Sequence, residues 1–222
     1  MSFQKYSDRE MLIVKVAQKI VDDLKAALLK QESVSFVVPG GTTPGPIFDI
    51  LCAADIEWER VHVMLSDERW VPENNDRSNA KLLRDRLLVN RAATAKFTPF
   101  YLPDVEVSEA CKDVSRDLAS EWPISVLVLG MGADMHTASL FPKADGLDAA
   151  LNADADALLP IQAEGQEQRV TLSAPVLNSA IFKHIVIFGD DKRAALDVAK
   201  GSLPEIAPVS AVLDRATIHW AV

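Results

Sequence analysis

The chain has 222 residues, 49% of them hydrophobic and 25% charged. That is enough to bury a sizeable core and is unlike a disordered segment, so a single α/β-sized domain over residues 1–222 is expected. A formal net charge of −9 works against nucleic acid, which is held through basic side chains, and no apolar run approaches the roughly 18 residues of a membrane span.

The elements follow in chain order. The opening residues MSFQKYSDRE lack the basic and apolar regions of a secretory signal, which makes the cytoplasm the expected compartment. Ser7-Asp8-Arg9-Glu10 reads as a capping box, and Leu12, Val16, Ile20, Leu24 and Leu28 mark one face of a helix to about Lys30. Apolar runs at 35–38, 61–65, 124–129 and 184–188 read as strands, and helical patterns lie between them near 44–53, 78–89, 108–120 and 190–200. Ser78 and Ser108 stand where N-caps belong. Residues 143–168 read as a surface excursion with one short strand at 158–161. Val209 to Leu213 and Thr217 to Trp220 are expected as short edge strands. Apolar strands alternating with helices predict a Rossmann-like α/β fold, an open and mostly parallel sheet with helices on both faces.

Cys52 and Cys111 are far apart, open either to a disulfide or, as a reducing compartment favours, to two buried thiols. His62, His136, His184 and His219 show none of the close spacing of a zinc site. Neither a metal nor a cofactor is expected.

In an open α/β sheet the ligand crevice lies beyond the carboxyl ends of the strands. Those ends carry Gly40-Gly41-Thr42-Thr43-Pro44, Ser66-Asp67-Glu68-Arg69, Gly130 to Thr137 with His136, and Gly189-Asp190-Asp191-Lys192. All four hold glycine or ionisable groups that would meet in one crevice. The Gly40 to Pro44 turn has two readings: an ordinary tight turn, or an anion site in which the glycines admit a ligand, Thr43 caps the helix and Pro44 opens it. Gly130-Met131-Gly132 is no dinucleotide fingerprint, because Met135 stands where the third glycine belongs. The chain has no P-loop and no GxSxG serine elbow. His136 follows a strand end outside any apolar period, which favours function over packing.

At these residues the chain resembles the 6-phosphogluconolactonase family over nearly its whole length. The likeness is carried by PGGTTP (Pro39 to Pro44), SDERWVPENNDRSN (Ser66 to Asn79) and LGMGADMHTASLFP (Leu129 to Pro142). RVTLSAPVLNSA (Arg169 to Ala180) and GDDK (Gly189 to Lys192) add to it. The related glucosamine-6-phosphate deaminases share the glycine turn and the Asp-His loop. They carry an aromatic residue where this chain has Arg69 and a catalytic glutamate where it has Phe141, so the acid for sugar ring opening is absent here. The family pattern has glycine where this chain has Met135 and Lys143; a left-handed backbone there would cost a methionine about 1–2 kcal/mol.

The resemblance implies a hydrolase acting on a phosphorylated sugar lactone, and the sequence leaves monomer and homodimer both open. It implies His136 as general base on water, with Asp67 orienting the water or sugar hydroxyls and Asp134 sharing that task or holding the loop. Arg69, Arg169 and Lys192 would bind phosphate with the Gly40, Gly41, Thr42 and Thr43 turn. A deaminase-like enzyme and a non-catalytic sugar-phosphate sensor are the alternatives; the presence of both His136 and Asp67 argues against the sensor.

Overall fold

A computed structural model describes residues 1–222. The chain opens with strand β1 (Ser2–Lys5) and helix α1 (Arg9–Leu28). The expected apolar stripe of α1 is buried, and the helix packs across the middle of the sheet that follows. Its cap is not the expected Ser7. Asp8 is the N-cap, its carboxylate accepting from Met11 N–H at 2.7 Å, while Ser7 Oγ donates to the same carboxylate. A charged acceptor at the positive helix end displaces the neutral hydroxyl.

Strand β2 (Val34–Val38) leads through the glycine turn into α2 (Gly45–Leu51), and β3 (Val61–Leu65) runs into the short β4 (Asp67–Arg69). Every residue of β2 and β3 is buried, so both sheet faces are covered there. Helix α2 starts one residue later than expected. Pro44 is its N-cap residue and no side chain caps it, so Thr43 does not serve as a cap. Pro46 stands in the first turn and offers no N–H to satisfy. Helix α3 (Asn79–Arg86) is capped by Ser78 as expected, its hydroxyl accepting from Lys81 N–H.

Next come β5 (Lys96–Phe97), α4 (Val107–Asp117) and β6 (Val126–Gly130). Ser108 does not cap α4. The Glu106 carboxylate, which accepts from the N–H groups of Ser108 and Glu109, takes that place. The excursion holds more structure than its composition suggests: α5 (Leu147–Leu151) precedes β7 (Leu158–Ile161), the latter at the expected residues. The chain then forms β8 (Arg169–Leu172), α6 (Ala174–Asn178), β9 (Phe182–Phe188), α7 (Asp190–Ala199) and β10 (Thr217–Ala221).

Seven strands form an all-parallel sheet in the order β1-β10-β9-β6-β2-β3-β5. A second, antiparallel sheet has the order β4-β8-β7. From β2 the chain moves to β3 on one side, while β6 lies against β2 on the other. The switch point is therefore at the carboxyl ends of β2 and β6, where a crevice is expected.

Two expectations near the carboxyl end fail. Residues 209–213 are not a strand: Pro208–Val212 form a 3₁₀ turn whose Val209 and Val212 are fully buried. Strand β10 exists but is not an edge, because β1 pairs with it in register from Ser2↔Thr217 to Lys5↔Trp220. Strand β1 has little apolar content of its own, and its partner lies more than two hundred residues away. Cys52 and Cys111 are both buried and free, so the disulfide alternative falls; burial pushes the Cys111 thiol up to about 12. No helix is long and apolar enough to cross a membrane.

Candidate active site

A cleft of about 260 Å³ opens at the switch point. Its lining includes Gly40, Gly41, Thr42, Thr43, Asp67, Arg69, His136, Arg169 and Lys192. Nine of the ten residues singled out from the sequence thus meet on one wall or another. The tenth, Asp134, touches the cleft through His136.

The β2–α2 turn supplies backbone donors. Gly41 has φ +88°, and a side chain at Gly40 would strike Asn79, whose Oδ1 lies 1.8 Å from where its Cβ would stand. The N–H groups of Gly40 to Thr43 donate to no other protein group. Asn79 holds the next wall in place by donating from Nδ2 to the Asp67 carbonyl at 2.8 Å.

Asp67 itself is buried, and both its oxygens are engaged. Oδ1 accepts from Ser66 Oγ at 2.7 Å and Oδ2 from Ser139 Oγ at 2.6 Å. Its neighbour Glu68 points away and is fully buried against α3. It accepts from the N–H groups of Asn79 and Ala80 and from Ser78 Oγ; burial raises its carboxyl above the ordinary range despite these donors.

Arg69 and Arg169 are direct cross-strand partners on β4 and β8. Two like charges placed opposite one another destabilise a ladder; Glu167, whose Oε1 lies 3.6 Å from Arg169 Nη2, offsets part of that repulsion. Both Nε atoms are buried without a partner. Arg69 donates from Nη1 to the Arg77 carbonyl, and Arg169 donates from Nη2 to Gln166 Oε1 at 2.7 Å. Burial works against the Arg169 charge, with Asp67 supporting it and Arg69 opposing it. Lys192 sits in the first turn of α7, where the helix dipole disfavours a cation. Its neighbours Arg193 and Lys200 both pair with Asp197, while Lys192 faces the cleft.

His136 lies on the loop after β6. Its Nδ1 is 2.6 Å from Asp134 Oδ1. A carboxylate there accepts the Nδ1 proton, which leaves Nε2 as the basic nitrogen. The approach depends on Gly132: a Cβ at that position would lie 2.2 Å from His136 Nδ1. Met135 has φ +67° and Lys143 φ +64°, so both positions where the resemblance expects glycine do adopt the left-handed backbone. Several bonds hold the loop in this strained state. Gly132 N–H donates to the His136 carbonyl at 3.0 Å, Thr137 Oγ1 to the Gly130 carbonyl at 2.8 Å, and Val209 N–H to the Met135 carbonyl at 3.1 Å. The Phe141 ring lies against the His136 ring with centroids 4.2 Å apart and planes 30° apart.

Sequence reasoning did not single out Asn79 or Ser139, although both fall inside the quoted segments. Each is polar, buried and bonded to Asp67, a combination that only the fold reveals.

The chain resembles known proteins throughout. The family model for glucosamine-6-phosphate isomerases and 6-phosphogluconolactonase matches residues 7–220. A 6-phosphogluconolactonase of Mesorhizobium japonicum is 40% identical, with 97% of this chain and 93% of that protein covered. One of Pseudomonas aeruginosa is also 40% identical, with 92% of this chain and 88% of that protein covered. The crystal structure of a 6-phosphogluconolactonase from Shewanella baltica superposes with a TM-score of 0.94 at 30% identity, covering all of this chain and 98% of that one. An all-parallel sheet with its cleft at the switch point, these relatives and the match over residues 7–220 agree: the chain belongs to the glucosamine-6-phosphate isomerase and 6-phosphogluconolactonase family.

Proposed function

We propose that this chain hydrolyses 6-phosphoglucono-1,5-lactone to 6-phosphogluconate, the activity its relatives' names carry, with His136 as general base. The observation that carries the mechanism is His136, held by Asp134, lining the same cleft as the free N–H groups of the glycine turn and the three cations. The substrate's phosphate needs several donors in a chain of net charge −9, and the Gly40 to Thr43 turn with Arg69, Arg169 and Lys192 supplies them. Anchoring it there also orients the distant carbonyl, which lowers the entropic cost of attack.

His136 Nε2 takes a proton from water as the water oxygen bonds to C1. The carbonyl electrons move onto oxygen, the tetrahedral adduct collapses, and the ring C1–O bond breaks. The imidazolium returns its proton to the departing ring oxygen, giving the open acid. Asp134 fixes the tautomer and supports the imidazolium. Asp67, held by two serines, orients the water or sugar hydroxyls through its remaining lone pairs. None of these steps calls for a metal. These residues suit a small anionic sugar as ligand.

Hydrolysis of fresh lactone, corrected for spontaneous opening, tests the assignment, with and without exhaustive chelation. Ammonia release from glucosamine 6-phosphate at a useful rate would instead favour the deaminase branch, and binding of phosphorylated sugars without turnover a sensor. His136→Asn should lower turnover by about 10²-fold or more while product-analogue binding stays nearly normal. A loss under about threefold would end the base role.

A further inference from the structure

Phe141 has no place in the scheme above, yet it touches both of its halves. Its ring meets the His136 imidazole at a centroid distance of 4.2 Å, and the Arg169 guanidinium carbon lies 5.0 Å from the same ring's centroid. The ring itself is buried. It sits two residues beyond Ser139, whose hydroxyl bonds to Asp67 and accepts from Arg169 Nη1 at 3.4 Å.

Asp134 grips the imidazole at one nitrogen only. A single hydrogen bond sets the tautomer but leaves the ring free to swing about it, and something must pack its face. Phe141 is the aromatic ring that does so. An aromatic face carries negative quadrupole density and attracts cations. When His136 takes the proton from water it becomes such a cation, so the same contact favours the charged state formed during attack. Arg169 is a permanent cation whose burial is unfavourable and whose cross-strand partner is another arginine. The ring gives it a surface to lie on that does not compete with phosphate for its N–H groups.

We propose that Phe141 is a positioning residue shared by the base and the phosphate site, holding the His136 ring for attack and the Arg169 guanidinium for the anion. This rests on the lactonase reading and on His136 as its base. An aliphatic side chain of similar volume would fill the space and do neither. Each contact of this kind is worth a factor of about 3 to 10 in an equilibrium.

The test compares Phe141→Leu and Phe141→Met with Phe141→Tyr, each alone and combined with His136→Asn, on the phosphorylated lactone and on glucono-1,5-lactone. Two aliphatic variants are used so that the comparison does not hang on the folding of one, and thermal unfolding checks them all. The aliphatic variants should lose about 5- to 10-fold in kcat on both lactones, and KM should rise about 3- to 10-fold on the phosphorylated lactone alone. Tyrosine should restore both parameters to within about twofold. In the His136→Asn background the kcat effect should vanish and the KM effect remain. Equal losses for tyrosine and the aliphatic residues, or a kcat loss undiminished without His136, would overturn the role of Phe141 while leaving the base in place. Near-normal turnover by His136→Asn alone would strike the base reading itself.

Discussion

Gly132→Ala isolates the geometry of the base from the fold around it. A methyl at this position would stand 2.2 Å from His136 Nδ1, 2.3 Å from its Cε1 and 2.4 Å from Asp134 Oδ1. Ordinary contacts between such atoms lie near about 3.5–4.0 Å, so the imidazole must withdraw by more than about 1 Å. Gly132 is not among the residues with positive φ, so alanine brings no backbone strain. Withdrawal breaks the 2.6 Å bond to Asp134, and a misplacement of about 1 Å in a reacting group costs roughly 10²-fold. The stability cost is small, because the His136 and Asp134 side chains are 31% and 54% exposed and such pairs contribute about 1 kcal/mol or less. The variant should therefore show kcat reduced about 10²-fold, KM for the phosphorylated lactone within about twofold, and Tm lowered by no more than about 2–4 °C. Steady-state kinetics with subtraction of spontaneous hydrolysis, alongside a calorimetric melt, measures all three. A kcat within about threefold of the parent would refute the claim that the close approach of Gly132 sets the base. So would a KM that rises as steeply as kcat falls.

Three further outcomes are expected. Lys192→Ala should weaken the phosphorylated lactone by about 1.5–3 kcal/mol, the worth of a charge-assisted bond, and leave glucono-1,5-lactone almost unchanged; equal losses on both would remove Lys192 from the phosphate site. Lys143→Gly relieves a left-handed backbone at an exposed position; strain of about 1–2 kcal/mol, less the roughly 0.4–1 kcal/mol entropy of a freer unfolded chain, should raise Tm by about 2 °C or slightly more, and a lower Tm would contradict the assigned strain. Burial, then the nearby charges of His184 and Lys19, push the His219 imidazole down to about 3. Its unfolded value is near 6.5, so folding excludes a proton the unfolded chain would take. Its stabilising share is complete above about pH 6.5 and is lost as pH falls toward 3. His219→Gln should flatten the fall of Tm between about pH 6.5 and 4, and parallel melting curves for the two proteins would speak against it.

Local rules read from the residues alone account for a large part of this molecule. The apolar stripe of α1, the wholly apolar runs of β2 and β3, and the Ser78 cap each follow from period, burial or hydrogen-bonding chemistry acting over a few residues. Since parallel strands place their carboxyl ends together, the same reading also located the cleft and eight of its lining residues, whereas Arg169, at the start of its strand, was indicated by the family resemblance alone. Caps proved less legible, because Asp8 and Glu106 compete with nearby serines and only the geometry of the turn decides which oxygen reaches the free N–H.

What tertiary structure decided are the contacts between residues far apart in the chain. Strand β1 has no apolar run to announce it and exists by pairing with β10, which makes an expected edge strand an interior one. Val209 lies in an apolar run that suits a strand, but it is drawn into a buried 3₁₀ turn whose N–H holds the Met135 carbonyl. The opposition of Arg69 and Arg169 is a matter of register between β4 and β8, and no spacing within either strand encodes it. Ser139 and Asn79 acquire meaning only because the fold brings both to Asp67. Sequence period specifies which face of an element is apolar, since that follows from the element's own geometry. Which distant group meets that face depends on how all the elements pack at once.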